Sequence, residues 1–343
     1  MTPFRIAGQT DVGRHRQDNQ DTFVSQPLWS ANDALLVVID GVGGYAGGAQ
    51  AAALAKEAIV QYMTTPTGDT LTMLREAVVH ANNEIVRHRQ QGSTLSRMCC
   101  VLTAAVADAE TRRLLYVHVG DTRLYRFREQ HLEKLTHDHS LVGVREDANQ
   151  LTEREAMCHP RRNEILRDVG SATHRVDDAD FLESGETDFL PGDGLLLCSD
   201  GLTDMLTRAQ VTDVLTQPIP VTEQIAELIR QANKHGGQDN ITVVLVQYPA
   251  LTGAVAAEPS ASPAADTEPL PVLTPVADSG PKPAPARSRV SELFSFLLLM
   301  LLAGLLWWQY RSSIPARSLR PVPANLPIDS TRTNQPDSSR RPH

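Results

Sequence analysis

Three observations predict an α+β fold with antiparallel sheets over residues 1–248, followed by one membrane-spanning helix. Short apolar runs come in consecutive sets, with longer periodic stretches set between them. No regular strand–helix alternation is present, which argues against a doubly wound parallel sheet. Near the C-terminus, an uncharged apolar run stands apart from everything before it.

Taken in order, the runs at 35–39, 101–107, 114–119, 195–198 and 241–246 are too short for helices and rich in Val, Ile and Leu, so they read as strands. The stretches at 48–63, 71–89 and 222–234 carry helical periodicity. Residues 249–289 are rich in Pro and Ala. That composition buries too little apolar surface to offset the ordering entropy, and it predicts an extended, disordered linker. The uncharged run covers residues 293–308, and with its flanks the predicted span is 290–310, long enough at about 1.5 Å per residue to cross a bilayer core. Trp307, Trp308 and Tyr310 cluster at one end of it like an interfacial belt, and Arg311 follows. Residues 311–343 read as a short disordered tail.

Basic residues flank the apolar run evenly, with Lys282, Arg287 and Arg289 before it and Arg311, Arg317 and Arg320 after it. They leave the orientation open. The first residues lack a secretory h-region, so the globular part is expected in the cytoplasm, held at the membrane by a single pass.

The chain has 343 residues, 41% hydrophobic and 21% charged, which suits a domain with a proper core. Its net charge of −9 disfavours nucleic-acid binding, which relies on neutralising phosphates. The four cysteines, Cys99, Cys100, Cys158 and Cys198, show neither zinc spacing nor a disulfide framework.

Acidic residues recur at strand ends. The run 35–39 leads into Asp40-Gly41, the run 195–198 into Ser199-Asp200-Gly201, and the run 114–119 into Gly120-Asp121, while Asp239-Asn240 opens the run 241–246. A single Asp-Gly is ordinarily a turn. Four such acids at the tips of neighbouring strands would converge on one rim, where they repel unless cations lie between them. Hard divalent ions such as Mg²⁺ or Mn²⁺ suit carboxylate, carbonyl and water ligands, and two of them can assist in-line attack on phosphorus. The glycines at 41, 43, 44, 47 and 48 lack the Lys-Ser/Thr of a nucleotide loop, and suit close approach of backbone to an ion instead. Arg16 carries a fork that can grip two phosphate oxygens.

In this order the motifs resemble the metal-dependent protein phosphatase family, also called type 2C, across about residues 5–247. Arg16 to Asp21 is similar to its opening Arg-x-x-Asn-Glu-Asp, and Asp40-Gly41-Val42-Gly43-Gly44 to its Asp-Gly-Met-Gly-Gly. Gly92-Ser93-Thr94 resembles its Gly-Thr-Thr segment, and Gly120-Asp121-Thr122-Arg123 its Gly-Asp-Ser-Arg. Residues 152–170 resemble its flap, and Ser199-Asp200-Gly201 and Gly237-Gln238-Asp239-Asn240 its closing metal motifs. Tyr45 stands where many bacterial members have His, and Gln20 where they have Glu.

The resemblance implies a four-layer α-β-β-α sandwich of two mainly antiparallel sheets. It also implies two to three Mn²⁺ or Mg²⁺ ions, and direct attack of metal-activated hydroxide on phosphoserine or phosphothreonine. Asp40 would bridge two ions, the Gly41 carbonyl would join one, and Asp200 and Asp239 would complete the other. Asp121 and Asp204, with Asp200, would hold a third. Arg16 would clamp the phosphate and Asp21 would orient water, leaving Arg16, Asp40 and Asp239 as the catalytic set. His118, His137, His139 and His159 receive no chemical role. The expected partners are phosphorylated proteins and a bacterial membrane Ser/Thr kinase that the enzyme opposes. A phosphoprotein-binding scaffold on the same fold, or a phosphatase of a sigma-factor regulator, are the alternatives.

Overall fold

The computed structural model describes residues 3–42, 46–91 and 98–250. The predicted linker, apolar span and tail lie outside the described residues, as do residues 43–45 and 92–97. Among the described residues no helix is long and apolar enough to cross a membrane.

Among the described residues, ten strands form two five-stranded sheets, antiparallel throughout. They are β1 (Arg5–Asp11), β2 (Thr22–Pro27), β3 (Asp33–Val42), β4 (Cys99–Asp108), β5 (Arg113–Val119), β6 (Arg123–Arg128), β7 (His131–Lys134), β8 (Glu183–Asp188), β9 (Gly194–Cys198) and β10 (Ile241–Gln247). One sheet has the order β1-β10-β9-β6-β7 and the other β2-β3-β4-β5-β8. The helices are α1 (Ala46–Tyr62), α2 (Thr70–Gln91), α3 (Leu141–Asp147), α4 (Glu153–Met157), α5 (Asp200–Thr203), α6 (Arg208–Leu215) and α7 (Val221–Lys234).

Alternation along the central strands builds the layers. Leu35, Val37 and Ile39 of β3 pack with Ala51, Ala55 and Ile59 of α1 and Leu74 and Val78 of α2. Leu36 and Val38 point the other way and meet Leu195, Leu197, Val244 and Val246 of the second sheet. Leu196, Val243 and Leu245 face out onto α6 and α7. Both faces of β3, β9 and β10 are covered, which is why those strands read as continuous apolar runs rather than alternating ones. In α7 the buried residues Val221, Gln224, Ile225, Leu228, Ile229 and Ala232 follow a helical stripe. The resulting helix–sheet–sheet–helix order is the one expected, and the eight predicted runs coincide with β3, β4, β5, β9, β10, α1, α2 and α7.

Strands β1, β2, β6, β7 and β8 and helices α3 to α6 went unpredicted. Strands β1, β7, β2 and β8 are sheet edges, where one flank is open and polar side chains are tolerated. The sequence of β8, Glu-Ser-Gly-Glu-Thr-Asp, has no apolar residue, and pairing with β5 alone defines it. Helices α3 to α6 have four to eight residues, too short for a period to stand out in the sequence; capping boxes at Thr152–Glu155 and Thr207–Gln210 start α4 and α6.

Leu36 is fully buried between the sheets, whereas Val144 is 50% exposed. Leu36→Ala is therefore expected to lower the stability of the folded domain by about 2–5 kcal/mol in denaturant titration, and Val144→Ala by under about 0.5 kcal/mol.

Candidate active site

Strand directions gather the acids. Strands β3 and β5 are both antiparallel to β4, so their C-terminal ends share one edge, placing Asp40 near the end of β3 and Asp121 just past β5. In the other sheet β9 runs antiparallel to β10, so the end of one lies beside the start of the other. That brings Asp200, the first residue of α5, to Asp239, which precedes β10. Asp21 precedes β2, whose Thr22 pairs with Ile39, so the register sets Asp21 beside Asp40. Asp204 caps α5 one turn after Asp200, and its N–H donates to the Asp200 carbonyl at 2.7 Å.

The turn that carries Asp121 depends on Gly120. Its φ is +108°, and a Cβ there would overlap the Val101 side chain, so another residue would displace Asp121. At Gly41 and Gly48 the two backbones cross so closely that a side chain on either would strike the other, which keeps the Gly41 carbonyl at the head of α1.

The outcome is a cleft of about 420 Å³ lined by Arg16, Gln20, Asp40, Gly41, Asp121, Asn163, Asp200 and Asp239, among others. Its electrostatics are severe. Burial and then the charges of Asp21, Asp200, Asp121 and Asp239 raise the Asp40 carboxyl well above its ordinary range. Asp200 is raised well above it too, by burial, Asp204 and Asp121. Burial with Asp138 and Asp204 pushes Asp121 to about 7. Asp21 rises to about 6 through burial, although hydrogen bonds from Thr242 and Ser199 pull it down. Asp204 is likewise raised by burial.

Asp21 Oδ1 and Asp200 Oδ1 are buried with no hydrogen-bond partner. Acceptor oxygens left bare among other carboxylates are costly, and a divalent cation relieves both the missing partner and the repulsion. All donors here are hard oxygens, which fits Mn²⁺ or Mg²⁺. Among the described residues, the three ligand groups that lie within 4.8 Å of one another are not these acids but His118, His139 and Glu183. An ion in the cleft would therefore lean on water and carbonyl oxygen as well as on carboxylates.

Arg16 sits at the mouth, half exposed, with one guanidinium nitrogen 2.7 Å from Asp239 Oδ2. Its loop is pinned by Asn240, a residue without an assigned role in the sequence reading. The Asn240 side chain accepts from Gln20 N–H at 2.8 Å and donates to the Val12 and Asp18 carbonyls at 3.0 Å each. Ser199 and Thr242 donate to Asp21 Oδ2 at 2.8 and 2.7 Å, leaving its other oxygen free. Asn240 and Ser199 stand next to predicted acids in the closing motifs, so adjacency was the available signal. Arg162 stands out in the sequence only as a charge of the 152–170 segment; it reaches Asp204 Oδ2 at 2.7 Å and Gln238 Oε1 at 2.8 Å. Arg16, Asp21, Asp40, Gly41, Asp121, Asp200, Asp204 and Asp239 are all brought to this rim, while Tyr45 lies outside the described residues.

Residues 10–245 match the family described as protein phosphatase 2C. Protein phosphatase PhpP of Streptococcus pneumoniae is 34% identical over 249 residues, covering 71% of this chain and 97% of that protein. The crystal structure of the Mycobacterium tuberculosis serine/threonine phosphatase PstP/Ppp is similar with a TM-score of 0.63 and 32% identity, covering 72% of this chain and 99% of that one. A structure of the PstP catalytic domain in complex with two manganese ions matches with a TM-score of 0.61 and 31% identity, over 71% of this chain and 97% of that one. The chain therefore belongs to the protein phosphatase 2C family and is a protein serine/threonine phosphatase.

Proposed function

We propose that the acidic cleft hydrolyses phosphoserine and phosphothreonine on proteins with two to three Mn²⁺ or Mg²⁺ ions. The observation that carries this reading is the set of buried, mutually repelling carboxylates with oxygens left unpartnered. Asp40, Asp200, Asp239 and the Gly41 carbonyl would hold two ions, and Asp121 and Asp204, with Asp200, a third. When bound, the ions lower the pKa of coordinated water and neutralise charge on the phosphoryl oxygens. The relative solved with two manganese ions supports the count of at least two.

The chain's own side chains supply the positioning. Arg16 turns its fork from Asp239 toward the incoming phosphate and grips it with two parallel hydrogen bonds. Asp21, fixed by the Ser199 and Thr242 hydroxyls, presents its free oxygen beside Asp40, where it can orient water. Asn240 keeps the Arg16 loop in register with β10.

We further propose that residues 290–310 anchor the catalytic domain to the cytoplasmic face of a bacterial membrane. The linker 249–289 then lets it search nearby phosphoproteins, including those of a membrane Ser/Thr kinase that it opposes.

Phosphate release from a phosphothreonine peptide by the full chain tests the chemistry. Activity is expected with Mn²⁺ or Mg²⁺ and none with EDTA. Asp40→Asn and Asp239→Asn are each expected to lower kcat/KM by about 10³-fold or more. Arg16→Ala is expected to lower it by about 10–100-fold, with part of the loss recovered in Arg16→Lys. A full rate in Asp40→Asn would sink the reading. Deleting residue 290 onward is expected to move the protein from the membrane to the soluble fraction without changing turnover of a small aryl phosphate; loss of that turnover would make the C-terminal segment part of the catalytic fold.

A further inference from the structure

Behind the Asp121 turn lies a second cluster that the phosphatase chemistry does not use. His118 on β5 and Glu183 on β8 are cross-strand partners. His139, on the loop after β7, closes on them, with its ring centroid 4.9 Å from that of His118. One ligand atom from each residue lies within 4.8 Å of the others. His118 is fully buried, and its Nε2 has no hydrogen-bond partner. A bare ring nitrogen in the interior is uncommon and costly.

We propose that His118, His139 and Glu183 form a separate divalent-cation site selective for Zn²⁺ over the Mn²⁺ or Mg²⁺ of the acidic cleft. Two imidazoles and one carboxylate are a zinc-type donor set, with a fourth position left for water, whereas hard ions prefer all-oxygen shells. The Nδ1–H tautomer of His118 would suit the task. Thr103 Oγ1 lies 2.9 Å from His118 Nδ1 and 2.7 Å from Thr122 Oγ1. With Thr103 donating to Thr122, His118 Nδ1–H donates to Thr103 and the lone pair of Nε2 faces the cluster. A hydrogen bond of that kind orients a metal-binding histidine. Burial keeps both rings neutral, with His118 and His139 each held down at about 4. Glu183 is held from the solvent side by His137, whose N–H and Nδ1 each lie 2.9 Å from a Glu183 oxygen. The His137 side chain is 75% exposed and marks the way in.

The site is wired to the cleft through His139. Its Nδ1 accepts the Gly120 N–H at 3.2 Å, one residue before Asp121. A neutral imidazole has one lone pair, so an ion on His139 either takes Gly120's acceptor or forces the other tautomer. Both outcomes disturb the turn that holds Asp121. Arg167, whose Nη1 lies 3.4 Å from His139 Nε2, must move aside if that nitrogen is the ligand.

The test is equilibrium dialysis of the full chain against Zn²⁺ in excess Mg²⁺, with Co²⁺ as a spectroscopic substitute. One Zn²⁺ per chain is expected, retained in an Asp40→Asn/Asp239→Asn double variant, together with the intense visible absorption of tetrahedral Co²⁺. His118→Gln and Glu183→Gln should each abolish that equivalent. Thr103→Val, which keeps the shape of a buried residue, should weaken it about tenfold or more. Circular dichroism checks that the variants fold, and the partly exposed Glu183→Gln and isosteric Thr103→Val keep the test valid if His118→Gln does not. Absence of Zn²⁺ uptake, loss of uptake in the double cleft variant, or uptake unchanged in folded Glu183→Gln would each overturn the proposal.

Discussion

Five carboxylates, Asp21, Asp40, Asp121, Asp200 and Asp204, crowd around one cleft, Asp21 and Asp121 buried and the other three half-buried, and their mutual repulsion is the constraint on which the rest of the structure depends. No solvated surface loop would hold them so. Each is raised above its ordinary range, with burial as the largest cause in every case. Such an arrangement persists only where the backbone is over-determined by other forces. Here those forces are two sheets covered on both faces, with the acids fixed at the strand ends. The hydrophobic layers supply the rigidity and stability that the repulsion among the acids opposes.

The surroundings of the cluster show how the strain is contained. Two hydroxyls satisfy one oxygen of Asp21 and leave the other open. Arg162 neutralises part of Asp204 from the flap side, and Arg16 does the same for Asp239 from the mouth. Behind Asp121, Arg123 pairs with both Asp138 and Glu146, with separations of 2.7 Å each. That pair fixes the strand on which the Asp121 turn rests. Asp138 stays ionised: burial would raise it, but Arg123 and Lys134 lower it further. Its charge is one reason Asp121 holds its proton to about 7.

Much of this was legible in the sequence because covered strands leave a strong signal. A run such as Leu35 to Ile39 is apolar at every position, since alternate residues enter two different cores. Asp40, Asp121, Asp200 and Asp239 stand out because each lies within two residues of the start or end of such a run, where a charge marks a strand tip. Asp21 and Asp204 carried no such mark and became visible only through the family resemblance, while Arg16, noted for its fork alone, took its place in the site from the same resemblance. Edge strands were silent for the opposite reason: β7 and β8 bury little, and their identity comes from the partner strand. Long-range polar contacts were silent as well. Nothing near Arg162 points 42 residues ahead to Asp204, and three dispersed residues, His118, His139 and Glu183, converge only once β5, β8 and the loop after β7 are assembled.

Linkage between protons and metal at the acidic cluster tests the central claim most directly. Free carboxylates titrate near 3.8, whereas in the folded chain Asp21 rises to about 6 and Asp121 to about 7. The metal-free folded state therefore holds protons that the unfolded chain has released, and the cluster's contribution to stability, complete below about pH 4, is lost as pH rises through 6 to 7. Divalent ions need the ionised form, so their stabilising effect must grow across the same window. The measurement is the Tm of the full chain with and without saturating Mn²⁺ from about pH 5 to 8. A Mn²⁺-induced rise in Tm that increases with pH, and that Asp40→Asn largely removes, is the predicted result. A rise that is independent of pH, or unchanged by Asp40→Asn, would contradict the account.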